Sequence, residues 1–118
     1  MSDAPATDPV PVEKIGQAVV ARPQAKLMDD EQLKALAQSI DQVAGADSGV
    51  TTVVLDLSRV QLLPSLALGL LVQMSNKCKA RQQRLKLAAV VPQVRQVFSM
   101  TRLDRVLEFA DSVEAAIG

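Results

Sequence analysis

The spacing of hydrophobic and polar positions changes period several times along this chain. Val53-Val54-Leu55 is an unbroken aliphatic run followed by Asp56-Leu57-Ser58, the pattern of a strand buried on both faces. The run predicts a central strand over Val50–Leu57. Pro64 biases Leu63 toward extended backbone and closes the strand-like segment. A helical pattern then runs from Ser65 to about Ala80. Leu70, Leu71, Met74 and Cys78 form one stripe of it, while Gln73, Asn76, Lys77 and Lys79 face away. Ser65 reads as the cap of this helix, its hydroxyl accepting from a free amide of the first turn. A strand feeding a helix through a polar residue is where α/β proteins usually place their working surface.

The remaining elements follow from the same rules. Residues 1–10 carry Pro5 and Pro9 among small polar residues and read as a flexible leader, leaving 11–118 as the domain. Val12–Ile15 and Ala18–Arg22 are expected to pair antiparallel across a Gly16-Gln17 turn, with Pro23 ending the second strand. Asp29 or Asp30 caps a helix whose buried face is Leu33, Leu36, Ala37, Ile40, Val43 and Ala44. Gly45 ends that helix, and residues 46–49 form a loop. Leu85–Val91 is the next strand. Pro92 opens a short helix with Val94, Val97 and Phe98 inward, and Val106–Phe109 is a last strand. Asp111-Ser112-Val113-Glu114 reads as a capping box before a C-terminal helix. Strands alternating with helices predict an α/β fold, a mainly parallel central sheet flanked by helices. Leu55, Leu57, Leu71, Met74, Leu87, Val97 and Phe98 are its expected core.

Two motifs in the central stretch carry a family resemblance. Val54-Leu55-Asp56-Leu57-Ser58 is similar to the aliphatic-aliphatic-Asp-Leu-Ser strand of the STAS domain, the fold of bacterial anti-sigma factor antagonists. Pro64-Ser65-Leu66-Ala67-Leu68-Gly69 resembles the family's Asp-Ser-Ser-Gly-Leu-Gly turn. Ser65 falls on the phosphorylatable serine and Leu68-Gly69 on the Leu-Gly, while Pro64, Leu66 and Ala67 depart from the pattern. The resemblance covers roughly residues 10 to 118. It implies a STAS-like domain that binds an anti-sigma factor or serine protein kinase. The contacts it implies are Ser58, Ser65, Leu66, Ala67 and Leu68, with Ser65 as the regulatory phosphosite. The alternative it leaves open is a non-phosphorylated scaffold subunit of a signalling complex or of a lipid-transport ATPase.

Composition narrows the other function classes. The chain has 118 residues, and 13 basic side chains balance 13 acidic ones, so no general attraction to nucleic acid or membrane is expected. There is no histidine, which removes the commonest general base and metal ligand. The single cysteine, Cys78, forms no internal disulfide and suits a reducing, cytoplasmic setting. Only Phe98 and Phe109 are aromatic, too few for base-stacking platforms. The sequence shows no signal peptide, no apolar run of membrane-spanning length and no phosphate-cradling glycine loop. No cofactor or metal is expected.

Each candidate site has a plainer reading beside it. Ser65 can be a helix cap alone. If phosphorylated, its phosphate would sit favourably at the helix N-terminus and would repel an apolar partner by its added charge. Leu66, Ala67 and Leu68 can form an apolar docking patch or pack beneath a neighbouring loop. Asp56, an aspartate after an apolar strand, can be a phosphoacceptor or a metal ligand. However, the acidic pair of a receiver domain is lacking, and position 58 is Ser where a haloacid dehalogenase phosphatase has Asp. Bonding of Asp56 to nearby backbone amides is the better expectation. Lys77, Lys79, Arg81, Arg84 and Lys86 read as a solvated basic cluster suited to a helix C-terminus, and Cys78 as a core residue. The chain is therefore expected to bind rather than to catalyse.

Overall fold

The computed structural model describes residues 11–45 and 49–117, so the leader expected over 1–10 and most of the 46–49 loop lie outside it. Five strands form one sheet in the order β1 (Val12–Ile15), β2 (Ala18–Ala21), β3 (Thr52–Asp56), β4 (Arg84–Ala88) and β5 (Glu108–Ala110). β1 pairs antiparallel with β2; β2, β3, β4 and β5 are parallel. Gly16, at φ +61°, makes the tight β1–β2 turn that a side chain would strain. β3 occupies the middle of the sheet. Its Val53, Val54 and Leu55 are fully buried, as the aliphatic run predicts.

Alternation along the strands divides the interior into two layers. Val19, Val53, Leu55, Leu85 and Leu87 join the larger core with helices α1 (Asp30–Ala44), α2 (Ser65–Ala80) and α3 (Pro92–Met100). Val20, Val54 and Ala88 face the opposite way and meet Ala116 of α4 (Val113–Ile117). Leu55, Leu57, Leu71, Met74, Leu87 and Phe98 are buried as expected, but Val97 is only half-buried. Phe98 packs edge-on against Phe109, centroids 5.2 Å apart, and the Arg95 guanidinium lies 4.2 Å over the Phe109 ring.

Several boundaries differ from the sequence expectation. β4 ends at Ala88 because Ala89 turns into the left-handed region at φ +56°. β5 starts at Glu108, since Leu103–Arg105 forms a 3₁₀ turn just before it. Gly45 ends α1 in right-handed geometry at φ −72°, and its N–H donates to the Asp41 carbonyl. Its lack of a side chain matters for space, because a Cβ there would stand 2.5 Å from that carbonyl. Ser112 rather than Asp111 caps α4, accepting from Ala115 N–H at 3.0 Å.

Candidate functional site

The β3–α2 connection, residues 57–64, lies at the C-terminal edge of the parallel strands. Leu57, Val60 and Leu63 are buried in the larger core and pin this loop from beneath. Its backbone is held at both sides. Leu57 N–H donates to Ala88 O at 3.0 Å, and Gln61 and Leu62 N–H donate to Lys26 O at 2.8 and 3.0 Å. Met28 N–H returns a bond to Leu62 O at 3.0 Å, so Leu27 and Leu62 form an isolated parallel bridge. The bridge holds two large apolar side chains at the surface, Leu27 at 46% and Leu62 at 62% exposure.

Asp56 closes β3 and serves this loop structurally. Its Oδ1 accepts from Ser58 N–H at 3.1 Å, as expected, and its Oδ2 lies 3.7 Å from Arg22 Nε. Ser58 is exposed at the loop's first turn.

Ser65 does not cap α2. The cap position belongs to Pro64, with extended backbone at φ −63° and ψ 155°, and no side chain bonds to the free amides of the first turn. The pyrrolidine ring fixes the φ that this position accepts, and Ser65 falls one residue inside the helix, past the capping position. No acidic residue stands in that first turn. Pro64, Ser65 and Leu66 are all exposed, Leu66 at 70%. The docking triplet expected at 66–68 divides here. Ala67 is completely buried and Leu68 is 4% exposed, so both belong to the core and cannot present a side chain to a partner. The apolar surface at this edge is instead Leu66 with Leu62 and Leu27, two residues that helical periodicity had no means of selecting. Their only advance signal is an apolar residue set in each of two connecting segments.

The far end of α2 is secured by charge. Lys77 Nζ and Arg81 Nη2 both donate to Asp41 of α1, at 2.7 and 2.9 Å. Partial burial pushes the Asp41 carboxyl up, but these two hydrogen bonds outweigh it and hold it below its ordinary value. Arg84 forks onto Glu108 across two strands, and Lys86 donates to Ala116 O at 3.0 Å. Four of the five basic residues are thus tied to three acceptors, Asp41, Glu108 and the Ala116 carbonyl. Cys78 is buried in the core, and desolvation pushes its thiol up. Among the described residues no three acidic or thiol side chains group as a metal site, and no helix is long and apolar enough to cross a membrane.

The whole of this architecture, from β1 to α4, corresponds to one known family: residues 10–116 match the STAS domain. The chain belongs to the STAS family. No curated protein matches it in sequence. A proposed anti-sigma factor antagonist from Thermotoga maritima superposes with a TM-score of 0.79 at 22% identity, over 92% of this chain and 91% of that one. An anti-sigma factor antagonist from Mycobacterium paratuberculosis gives 0.75 at 25% identity, over 98% and 96%. The mouse anion transporter solute carrier 26 family member A9 gives 0.73 at 16% identity, over 89% of this chain and 18% of the transporter. Within this STAS domain the motif turn points Ser65, Leu66 and Gly69 outward and Ala67 and Leu68 inward. A Cβ on Gly69 would meet nothing within 4 Å, so no contact inside the domain calls for glycine there.

Proposed function

We propose that this STAS domain works by binding a protein at the start of α2, as an anti-sigma factor antagonist acting on an anti-sigma factor or serine protein kinase in the cytoplasm. The observation that carries this reading is the uncapped, acid-free α2 start with Leu66 exposed in its first turn, together with the exposed, bridged pair Leu62 of the preceding loop and Leu27 of the β2–α1 segment. Contacts are assigned to Ser58, Ser65 and Leu66, joined by Leu27 and Leu62. A partner closing over this edge would remove three leucines from water. Ser65 is the regulatory position of this reading. A phosphate there would add nearly two negative charges to a surface that an apolar partner must cover, with the fold left intact.

Pro64 favours a second reading. The STAS pattern has an aspartate there, and a kinase that reads that carboxylate would find no contact. A constitutive, non-phosphorylated scaffold subunit of a signalling complex or of a lipid-transport ATPase would keep the docking edge without the switch.

Affinity capture from native lysate tests both readings. Wild type should retain an anti-sigma factor or serine kinase that the Leu62→Asp/Leu66→Asp protein does not. Identical retention by both proteins would contradict docking at this edge. Capture of a transporter ATPase, with no mass gain on Ser65 after incubation with ATP and the captured fraction, would favour the scaffold.

A further inference from the structure

A line of charge crosses the α4 face of the sheet and ends at the β3–α2 loop. Strand alternation puts it there. Val20 and Val54 face α4, so Arg22 and Asp56, each two residues further along, share that face. Ala88, the β4 partner of Asp56, faces α4 as well. Glu13 stands opposite Val20 in the β1–β2 pair and completes the row. Arg22 Nη1 donates to Glu13 Oε1 at 2.7 Å, and Arg22 Nε lies 3.7 Å from Asp56 Oδ2. The other oxygen of Asp56 accepts from Ser58 N–H at 3.1 Å. One carboxylate therefore joins Arg22 to the first turn of the loop. Val60 N–H closes that turn on Leu57 O at 3.1 Å, and its corner, Ser58 and Arg59, is exposed.

We infer that Arg22 is a positioning residue for docking: it fixes the Asp56 carboxylate, and through it the Ser58-Arg59 corner that the partner meets. The inference rests on docking at this edge as proposed above. The corner needs such a tether. Leu57, Val60 and Leu63 are anchored in the core, and Gln61 and Leu62 bond to Lys26 O. Among the described residues, the bond to Asp56 is the only hydrogen bond made by Ser58 or Arg59. Arg22 suits the task because its planar fork directs two nitrogens at two carboxylates in fixed directions, which an ammonium on a flexible stem does not. Its backbone is held too. Its N–H donates to Pro11 O at 3.0 Å, and its carbonyl accepts from Gln24 Nε2 at 2.8 Å.

The test is amide exchange with water in the isotope-labelled full chain by NMR, paired with calorimetry against the anti-sigma factor or kinase that wild type retains. Arg22→Ala should speed exchange at Ser58 about threefold, the scale of an exposed ion pair, and leave Leu57, which donates to Ala88 O, as protected as in wild type. Arg22→Lys keeps the charge without the fork and should fall between the two. In roughly 1 M NaCl, where the screening length drops to about 3 Å, the gap at Ser58 should close, which a loss of packing would not do. Partner affinity of Arg22→Ala should fall about threefold. Unchanged exchange at Ser58, equal acceleration at Leu57, a gap that survives salt, or faster exchange with full affinity would each overturn the inference. Leu66→Asp measured alongside separates the two readings. Full affinity of Leu66→Asp ends docking at this edge and the inference with it, whereas full affinity of Arg22→Ala alone ends only the inference.

Discussion

At the start of α1, Asp29 Oδ1 accepts from Gln32 N–H at 2.9 Å, and Asp30 and Glu31 set two further carboxylates in the first turn. At the start of α2 stands Pro64, with no acid and no capping side chain. Both helices bury leucines in the same core, so the difference does not arise from burial of their bodies. The first helix meets its free amides and its dipole with its own residues. The second leaves them to whatever arrives from outside. Within this pair one helix start is closed and one open; α3 is open as well, with Val91 at its cap position and no acid in its first turn. What sets the α2 start apart is that it carries the exposed Ser65 and Leu66.

The comparison fails if α2 is loosely held, and core truncation tests that with the largest effect. Leu36→Ala in α1 and Leu71→Ala in α2 should each cost about 2–5 kcal/mol by urea unfolding, both side chains being fully buried. A much smaller cost at Leu71 would mean that the open start reflects weak packing of the helix.

The caps themselves give the next contrast. Asp29→Ala should cost about 1 kcal/mol, while Ser65→Ala should change stability by less than about 0.5 kcal/mol, since Ser65 caps nothing. Ser65→Asp should gain about 0.3–1 kcal/mol, because it supplies the acid that α1 already has. Thermal unfolding of the three variants measures all of this. A loss of about 1 kcal/mol from Ser65→Ala would restore the serine as a cap.

The rear of the α1–α2 pair sharpens the picture through pH. The folded Asp41 carboxyl sits below its unfolded value, so its contribution is present above that value and lost as pH falls through the folded one. Asp41→Asn should therefore cost about 1 kcal/mol or less at neutral pH, and the difference from wild type should close as pH falls below 3.8. Urea unfolding of both proteins across that range measures it. A gap that persists in acid would assign the loss to packing.

Gly69 gives the smallest effect. With helical surroundings and open space at its Cβ, Gly69→Ala should stabilise the domain by about 0.5–1 kcal/mol. If a partner approaches α2 closely here, the same change should weaken binding. A neutral effect on binding would place the contact nearer Leu62 and Leu27.

Much of the fold was legible because period and punctuation agree. Val53-Val54-Leu55 is β-branched and bounded as a two-sided strand is, Asp29 and Asp30 stand just ahead of the helical spacing, with Asp29 the one that caps, and Pro92 needs no amide partner where it sits. The site was less legible for local reasons. From Leu66 to Val72 the helix is apolar except for Gly69, so no polar side chain marks which leucine faces water. Pro64 and Ser65 are adjacent and both acceptable at a helix start, and the pattern cannot resolve a one-residue shift of the cap. Leu27 and Leu62 are 35 positions apart in the sequence and meet only through the backbone bridge.

The central claim is that a partner docks on the open start of α2. The direct measurement is titration calorimetry of wild type and Leu66→Asp against the anti-sigma factor or kinase retained by wild type, after matched unfolding curves show both proteins folded. Leu66 is exposed, so the substitution should leave the fold intact, yet weaken binding by about 1.4 kcal/mol or more, a factor of ten in affinity. Equal affinity of the two proteins would contradict the account.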